Sequence, residues 1–315
     1  MADNVNADKI NNEVAPEKVM KDRDISAVTK KQKVVKVFVQ ILLYLFLAVM
    51  AVVVLFPFYW MLMSSFKTIH EYNKPVPTMW PTEEFRWNTY AVAFEKVDFG
   101  RVFLNTVLVG VVSTILSLII TVLSAYAFAR FEFKGKNALF AAMLATMMIP
   151  GELFTVTNYI TVVGTFKWTN TEFGTFVSLI VPFLVSVFYI YLLRQNFMQI
   201  PNELYLAAKV DGTSDLKYLW KVMIPLAAPT LISITILKMM GAWNTYIWPN
   251  LVVDSTSNWQ LMTVALRNAE WGEAALVDYP SQMAAVVLVT VPLLIVFLCF
   301  RKYIIRGVSR SGIKG

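Results

Sequence analysis

Polar residues dominate the chain up to about Lys36; from there, long apolar runs alternate with short charged segments to the far end. A membrane-crossing helix needs about 20 apolar residues. Six stretches approach this: 37–63, 102–128, 139–156, 176–193, 226–248 and 283–300. They predict an all-α integral membrane protein with six transmembrane helices. The third stretch is the weakest, because Pro150, Gly151 and Glu152 interrupt it. Breaks at membrane depth survive only where protein or a water-filled cavity satisfies the freed backbone. Pro57, Pro182 and Pro292 are expected to kink the first, fourth and last stretches. Residues 1–34 are polar, mixed in charge and poor in aromatics, which reads as a disordered cytoplasmic tail. The first apolar run is too long for the h-region of a cleavable signal. Residues 35–315 read as one transmembrane domain.

Lys and Arg set the direction of insertion. They cluster before the first stretch, after the second (Arg130, Lys134, Lys136), between the fourth and fifth (Arg194, Lys209, Lys217, Lys221) and after the last (Arg301, Lys302, Arg306). The second and third opposite loops hold only Lys167 and Arg267. Both termini are therefore expected in the cytoplasm. Of the 315 residues, 57% are hydrophobic and only 16% charged, against about 25% charged in soluble domains. The net charge of +7 belongs to the flanks of apolar runs, which argues against nucleic acid as a partner. The single cysteine, Cys299, excludes an internal disulfide, and the single histidine, His70, argues against a metal site or a His-based triad.

One segment between the fourth and fifth stretches breaks the apolar pattern. It runs Pro201-Asn202-Glu203-Leu204-Tyr205-Leu206-Ala207-Ala208-Lys209-Val210-Asp211-Gly212 and on to Val222-Met223-Ile224-Pro225. Asn202 suits a helix N-cap after Pro201, with Leu204, Ala207 and Ala208 on one face. Asp211-Gly212 reads as a stop and turn. Ser214 then starts a second short helix with Leu216, Leu219, Trp220 and Met223 on one side, up to the boundary at Pro225. The prediction is a cytoplasmic helix–turn–helix with a small-residue face.

This segment resembles the EAA coupling motif of ABC importer permeases: Glu-Ala-Ala, three residues, Gly, nine residues, then Ile-x-Leu-Pro. Ala207, Ala208, Gly212 and Pro225 stand at the family spacing, with Val222 and Ile224 at the aliphatic positions. Leu206 stands where the family has Glu, so the polar contact made by that Glu is not carried over. Further stretches are similar to the carbohydrate-importer permeases of the maltose type: Asn88-Thr89-Tyr90, Phe103-Leu104-Asn105-Thr106, Ala125-Tyr126-Ala127-Phe128-Ala129-Arg130, Met148-Ile149-Pro150, Leu193-Arg194-Gln195 and Trp243-Asn244. The C-terminal Ser311-Gly312-Ile313-Lys314-Gly315 resembles the tail of the second permease subunit in that family. The likeness runs from about Val35 to Gly315.

The resemblance implies a permease subunit of a binding-protein-dependent sugar importer in a bacterial or archaeal cytoplasmic membrane. It implies a different permease as partner, two ATPase subunits and an extracellular solute-binding protein. It places the ATPase contact on Glu203, Leu206, Ala207, Ala208, Asp211, Gly212 and Pro225, and an ATPase-facing tail on Ser311, Gly312, Lys314 and Gly315. No Gly-x-x-x-x-Gly-Lys-[Ser/Thr] phosphate loop occurs in the chain. ATP and Mg are thus expected on the ATPase partners, with no cofactor bound here, and nothing suggests an enzyme. Two alternatives stand beside this reading: an ABC permease for another polar solute such as glycerol phosphate, and a secondary transporter.

Lys238 is the one ionisable residue deep in a well-formed stretch, about midway along 226–248. Intramembrane charge points to function by default. Three roles fit: pairing with an acid on the partner permease, facing an anionic group on the substrate such as a uronic or sialic acid carboxylate, or snorkelling or facing a wet inter-subunit cavity without specific work. Trp243 and Asn244 are further candidates for pathway contact. Trp243, Tyr246 and Trp248 equally suit an outer aromatic belt, as Tyr126, Phe128, Phe131 and Phe133 suit an inner one. Gly110, Ser113, Ser117 and Ser124 are small residues that favour close helix packing.

Overall fold

The structure is a computed structural model that describes residues 22–272 and 277–309, with side chains described for 32–272 and 277–301. Helices dominate, and no strand occurs among the described residues. The chain divides into two units, Met1–Trp60 and Met61–Gly315.

Helix α1 (Asp22–Ser64) forms the described part of the first unit, and its last turn belongs to the second. It passes through Pro57 without interruption. Residues 22–34, expected in a disordered tail, are helical instead. From Val34 to Phe58 the large apolar side chains stand exposed around the helix. A helix apolar on all sides suits a nonaqueous surround.

The second unit continues with α2 (Ile69–Tyr72), α3 (Asn88–Lys96), the long α4 (Phe99–Arg130), α5 (Lys136–Thr146), α6 (Leu153–Tyr159), α7 (Glu172–Ile180) and α8 (Val187–Met198). Then come three short helices, α9 (Asn202–Val210), α10 (Asp215–Tyr218) and α11 (Ile224–Leu226). The unit ends with α12 (Ala228–Asn244), α13 (Ile247–Val252), α14 (Met262–Asn268) and α15 (Tyr279–Ser309). Three helical stretches are long and apolar enough to cross a membrane: Gln32–Ser64, Phe99–Arg130 and Tyr279–Arg301. Two bent pairs, broken by 52° after Phe183 and by 80° after Leu226, raise the number to five if each pair is one crossing.

Three expected spans thus differ from a continuous helix. The 139–156 stretch is split between α5 and α6, because residues 147–152 carry the Pro150-Gly151 break, and α6 runs on into a π-helical turn at Ile160–Thr165. The fourth breaks beside Pro182, whose ring cannot continue the hydrogen-bond ladder. The fifth ends at Asn244, and α13 follows as a separate helix. By contrast, α15 runs through Pro292 as α1 does through Pro57.

Helix α4 is the spine of the second unit and packs on α7, α8, α12 and α14. Three apolar cores are strung along it. Phe99 and Val102 join α3, α14, α15 and Trp243. Val109 joins Leu179, Trp248 and Leu261. Ala125 and Tyr126 join Leu193, Phe197, Tyr218, Leu219 and Met223. Its buried face carries Thr106, Gly110, Ser113, Thr114, Ser117 and Thr121, small or hydroxylated residues that allow close helix approach. Thr106 and Ser113 return their hydroxyls to carbonyls of the same helix, Val102 and Gly110. A Cβ at Gly110 would stand 3.3 Å from Met239 Cε and 3.7 Å from Ala242 Cβ. We expect Gly110→Ala to be tolerated through a shift of the flexible Met239 side chain. Gly110→Ile should force α4 and α12 apart at about 1–3 kcal/mol. Thermal unfolding of the purified protein, read across the pair, checks this.

Polar contacts fasten the first loop. The buried Glu71 carboxylate accepts from Thr78 Oγ1 at 2.7 Å and from Thr82 N and Oγ1 at 2.8 Å. Burial pushes its pKa up, but these bonds outweigh it and hold the carboxyl below the usual range. Arg86 grips both Asp278 oxygens at 3.2 and 3.0 Å, and Asp278 also accepts from Ser281 N and Oγ. The loop is thereby tied to the first turn of α15.

Candidate functional site

The segment 201–226 folds as an elbow of short helices. Pro201, with ψ 137, is the N-cap of α9, so Asn202 is the first helical residue and its side chain does not cap. The end of α9 is a Schellman turn: Gly212 N donates to Lys209 O at 3.0 Å and Thr213 N to Ala208 O at 2.8 Å. Gly212 takes φ +68, the left-handed region where a side chain is strained. Ser214 caps α10 by backbone conformation, without a side-chain hydrogen bond. A π-helical stretch, Leu219–Met223, then leads to Pro225 in α11.

The inward faces differ from the expected ones. On α9 it is Tyr205 and Ala208 that pack inward, while Leu204, Leu206 and Ala207 are exposed. Beyond the turn, Tyr218, Leu219 and Met223 are buried, whereas Leu216 and Trp220 point outward. The wide π turn rotates the register, so the expected single apolar side divides into two. The outward half is unusual for a surface: Val210 is 88%, Trp220 68%, Leu216 62% and Leu206 55% exposed. Isolated exposed apolar residues are ordinary; here four stand exposed on one short segment.

A polar cluster behind the elbow holds it. Arg130, the last residue of α4, donates Nη2 to Ile200 O at 2.9 Å and to Phe197 O at 3.3 Å, and Nη1 to Asn202 Oδ1 at 3.2 Å. Its guanidinium lies 5.9 Å from the Tyr205 ring. Asp215 is the second pin. Its Oδ1 accepts from Tyr126 and Tyr205 hydroxyls, both at 3.0 Å, and its Oδ2 from Lys209 Nζ at 2.9 Å. The Lys209 bond, helped by those of Tyr205 and Tyr126, holds the Asp215 carboxyl below its usual range. Arg194, on α8, adds a bond from Nε to Phe128 O at 3.1 Å. The rigid end of α4 thus fixes both the entry to α9 and the start of α10. Asp215 and Tyr205 were not among the expected site residues. The only local signal is that of Asp215, an acid in the first turn of a short helix.

The expected residues fall into distinct places. Glu203 is exposed in the first turn of α9, Asp211 is its C-cap, and Ala208 lies at the edge of the inner core. Ser311, Gly312, Lys314 and Gly315 lie outside the described residues. Trp243 is buried in a core, edge-on to Phe103 at 5.7 Å. Trp248, Tyr126 and Phe128 are likewise buried, leaving Phe131, Phe133 and Tyr246 at the surface. Asn244 is exposed and donates back to Met240 O at 2.9 Å.

Lys238 opens on a cleft of about 400 Å³ formed around the break between α7 and α8. Its Nζ donates to Phe183 O at 2.6 Å, a carbonyl freed by the helix break. Ser113, Ser186, Tyr189 and Thr245 line the same cleft, together with Phe183 and Trp248.

The family model described as "binding-protein-dependent transport system inner membrane component" matches residues 117–310. Over 264 residues the chain is 31% identical to the diacetylchitobiose uptake system permease protein NgcG of Streptomyces coelicolor, covering 83% of this chain and 84% of that protein. It is 30% identical over 278 residues to the inner membrane ABC transporter permease protein YcjP of Escherichia coli, covering 85% and 94%. Its fold is similar to a chain in the crystal structure of a bacterial ABC transporter involved in the import of the acidic polysaccharide alginate. The TM-score is 0.71 at 22% identity, over 84% of this chain and 96% of that one. With the family model matching well over half of its length, the chain belongs to the family of binding-protein-dependent transport system inner membrane components.

Proposed function

We propose that this chain imports a sugar or oligosaccharide as one permease subunit of an ATP-driven, binding-protein-dependent transporter, and that the 201–225 elbow is its contact with the ATPase. The observation that carries the reading is the elbow itself: an outward apolar face of Leu206, Val210, Leu216 and Trp220, held from behind by Arg130 and Asp215. A rigidly backed apolar surface transmits a push, where a loose loop would absorb it. The cargo class is supported by the similarity to the diacetylchitobiose permease protein. On this reading α5 and α6 complete a sixth crossing, both termini are cytoplasmic, and Ser311 to Gly315 reach the ATPase. A second permease completes the pathway, ATP and Mg reside on the two ATPase subunits, and an extracellular solute-binding protein delivers the sugar. This chain has no catalytic role.

The test uses the assembled importer. It is expected to co-purify with a different permease and two ATPase copies, and to take up saccharide only with ATP. Ala207 is exposed on α9, so Ala207→Asp adds charge to the contact face without burying it, at a helix-propensity cost of under about 1 kcal/mol. It should lower binding-protein-stimulated ATP hydrolysis and uptake at least about tenfold, the equivalent of about 1.4 kcal/mol, with the complex still reaching the membrane. Wild-type uptake in Ala207→Asp, or transport by a homo-oligomer lacking any ATPase, overturns the reading.

A further inference from the structure

We infer that the cleft at Lys238 is a saccharide subsite on this subunit, and that it selects sugars bearing a carboxylate. This rests on the importer reading above and adds to it the chemical class of the cargo and the residue that reads it. Lys238 lies on α12 among apolar neighbours, yet its ammonium turns into the cleft. One of its three donors is taken by Phe183 O, and no carboxylate among the described residues pairs with it. Lys238 is half-buried, and an ammonium partly shielded from water is favoured by a counter-charge. Among the described residues the chain supplies only the partial negative charge of a helix end, through the Phe183 carbonyl. That contact aims the ammonium and leaves its remaining donors for an anion that comes from outside the chain.

The lining favours a sugar as the carrier of that anion. The cleft's volume lies within the range of small-molecule sites. Tyr189, Thr245 and Ser186 offer hydroxyls at its wall, matched to a ring rich in hydroxyl groups. The aromatic wall is set firmly, with Phe183 and Trp248 edge-on at 5.4 Å and Trp248 Nε1 anchored on Ser178 O at 2.9 Å. Aromatic faces suit the C–H face of a pyranose, while hydroxyls and an ammonium take its polar rim. A partner-subunit acid would need only a flat polar contact; a concave, mixed aromatic and hydroxyl wall serves a small polyol better.

The experiment measures binding to the purified complete importer, without the solute-binding protein, using trigalacturonate and its neutral counterpart galactotriose. Titration calorimetry gives the affinities, and uptake of saccharide with ATP is measured in parallel. The wild type should bind trigalacturonate more tightly than galactotriose. Lys238→Met should weaken trigalacturonate about ten- to a hundredfold, the worth of one charge-assisted hydrogen bond, and leave galactotriose unchanged. Lys238→Arg should retain the preference. Equal affinities in the wild type, or an unaltered preference in Lys238→Met, overturn the subsite while ATP-dependent uptake leaves the importer reading standing. Loss of the partner permease from the Lys238→Met complex also overturns it and assigns Lys238 to an inter-subunit ion pair. Absence of ATP-dependent saccharide uptake in the wild type is the separate failure of the importer reading.

Discussion

Arg130→Met is expected to disconnect the elbow from the helix that carries it, abolishing most saccharide uptake while the rest of the second unit stays folded. Arg130 bonds Phe197 O, Ile200 O and Asn202 Oδ1, and so closes the carbonyl end of α8 and the entry to α9 with one planar group. The carbonyls at a helix end carry partial negative charge, and bonds from an ionised donor contribute about 1.5–3 kcal/mol each. Losing the set should cost roughly 3 kcal/mol or more locally, allowing for partial replacement by water. Met fills much of the same volume and leaves the aliphatic packing intact, so the effect reports the lost bonds. Hydrogen exchange should rise across 197–223 and remain protected in α4 and α12. Arg130→Lys should rescue poorly, because a single ammonium cannot reach three acceptors held by a planar fork. Normal exchange in Arg130→Met would show that the elbow is held by its apolar core alone.

Asp215 sharpens the same test through pH. Its carboxyl is held below the ordinary value chiefly by the Lys209 bond. Its contribution is therefore complete above the ordinary carboxylate range and lost only as pH falls through the lowered value. The elbow should be insensitive to pH near neutrality, and exchange over 202–218 should increase only in acid. Asp215→Asn should bring that loosened state to neutral pH.

Gly212 is the site of the second large effect, and here the cause is conformational. The residue takes φ +68, and a Cβ built on it meets nothing within 4 Å. Space is therefore not the obstacle; the left-handed backbone is. A non-glycine residue there costs about 1–2 kcal/mol, with Asn the mildest and a β-branched residue the worst. The expected order of coupled ATP hydrolysis is Gly212 > Gly212→Asn > Gly212→Ala > Gly212→Val, with Gly212→Val at least about tenfold down. Gly212→Pro should be worst of all, because φ is locked near −65° and the donor to Lys209 O is removed. An order that instead follows side-chain volume, with Asn below Ala, would place the fault in docking and not in the turn.

The two effects differ in how visible they are from sequence. The turn at Gly212 is local: a glycine after Asp211 at the end of a short amphipathic run is legible because only neighbouring residues decide it. The spacing of Ala207, Ala208, Gly212 and Pro225 is local in the same sense and suffices for the family. The apolar runs 102–128 and 283–300 mark helices of membrane-crossing length, as Phe99–Arg130 and Tyr279–Arg301 bear out.

Orientation of each short helix is another matter. Periodicity shows which residues share a face, but both sides of α9 and α10 are apolar, and only the surrounding core selects one. The end of α4 and the helix α8 select Tyr205, Ala208, Tyr218, Leu219 and Met223, leaving Leu206 and Trp220 outside. The same holds for Trp243, whose aromatic character suits a belt or a pathway as well as the core it occupies. Arg130 and Asp215 are read from sequence as a flanking cation and a loop acid. The role of Arg130 rests on bonds to Phe197, Ile200 and Asn202, and that of Asp215 in part on Tyr126, all far along the chain, and nothing in a local window encodes such partners; only Lys209 and Tyr205 lie near Asp215 in sequence. Lys238 combines both cases. Its place in an apolar run marks it at once, but the acceptor and the cleft it meets come from a helix break more than fifty residues earlier, at Phe183. Sequence alone determined the class of the protein, its apolar runs and its turn, because short-range sterics and transfer from water act residue by residue. Tertiary structure decided the faces, the pins and the cleft, because burial and hydrogen bonding are settled between elements that only the fold brings together.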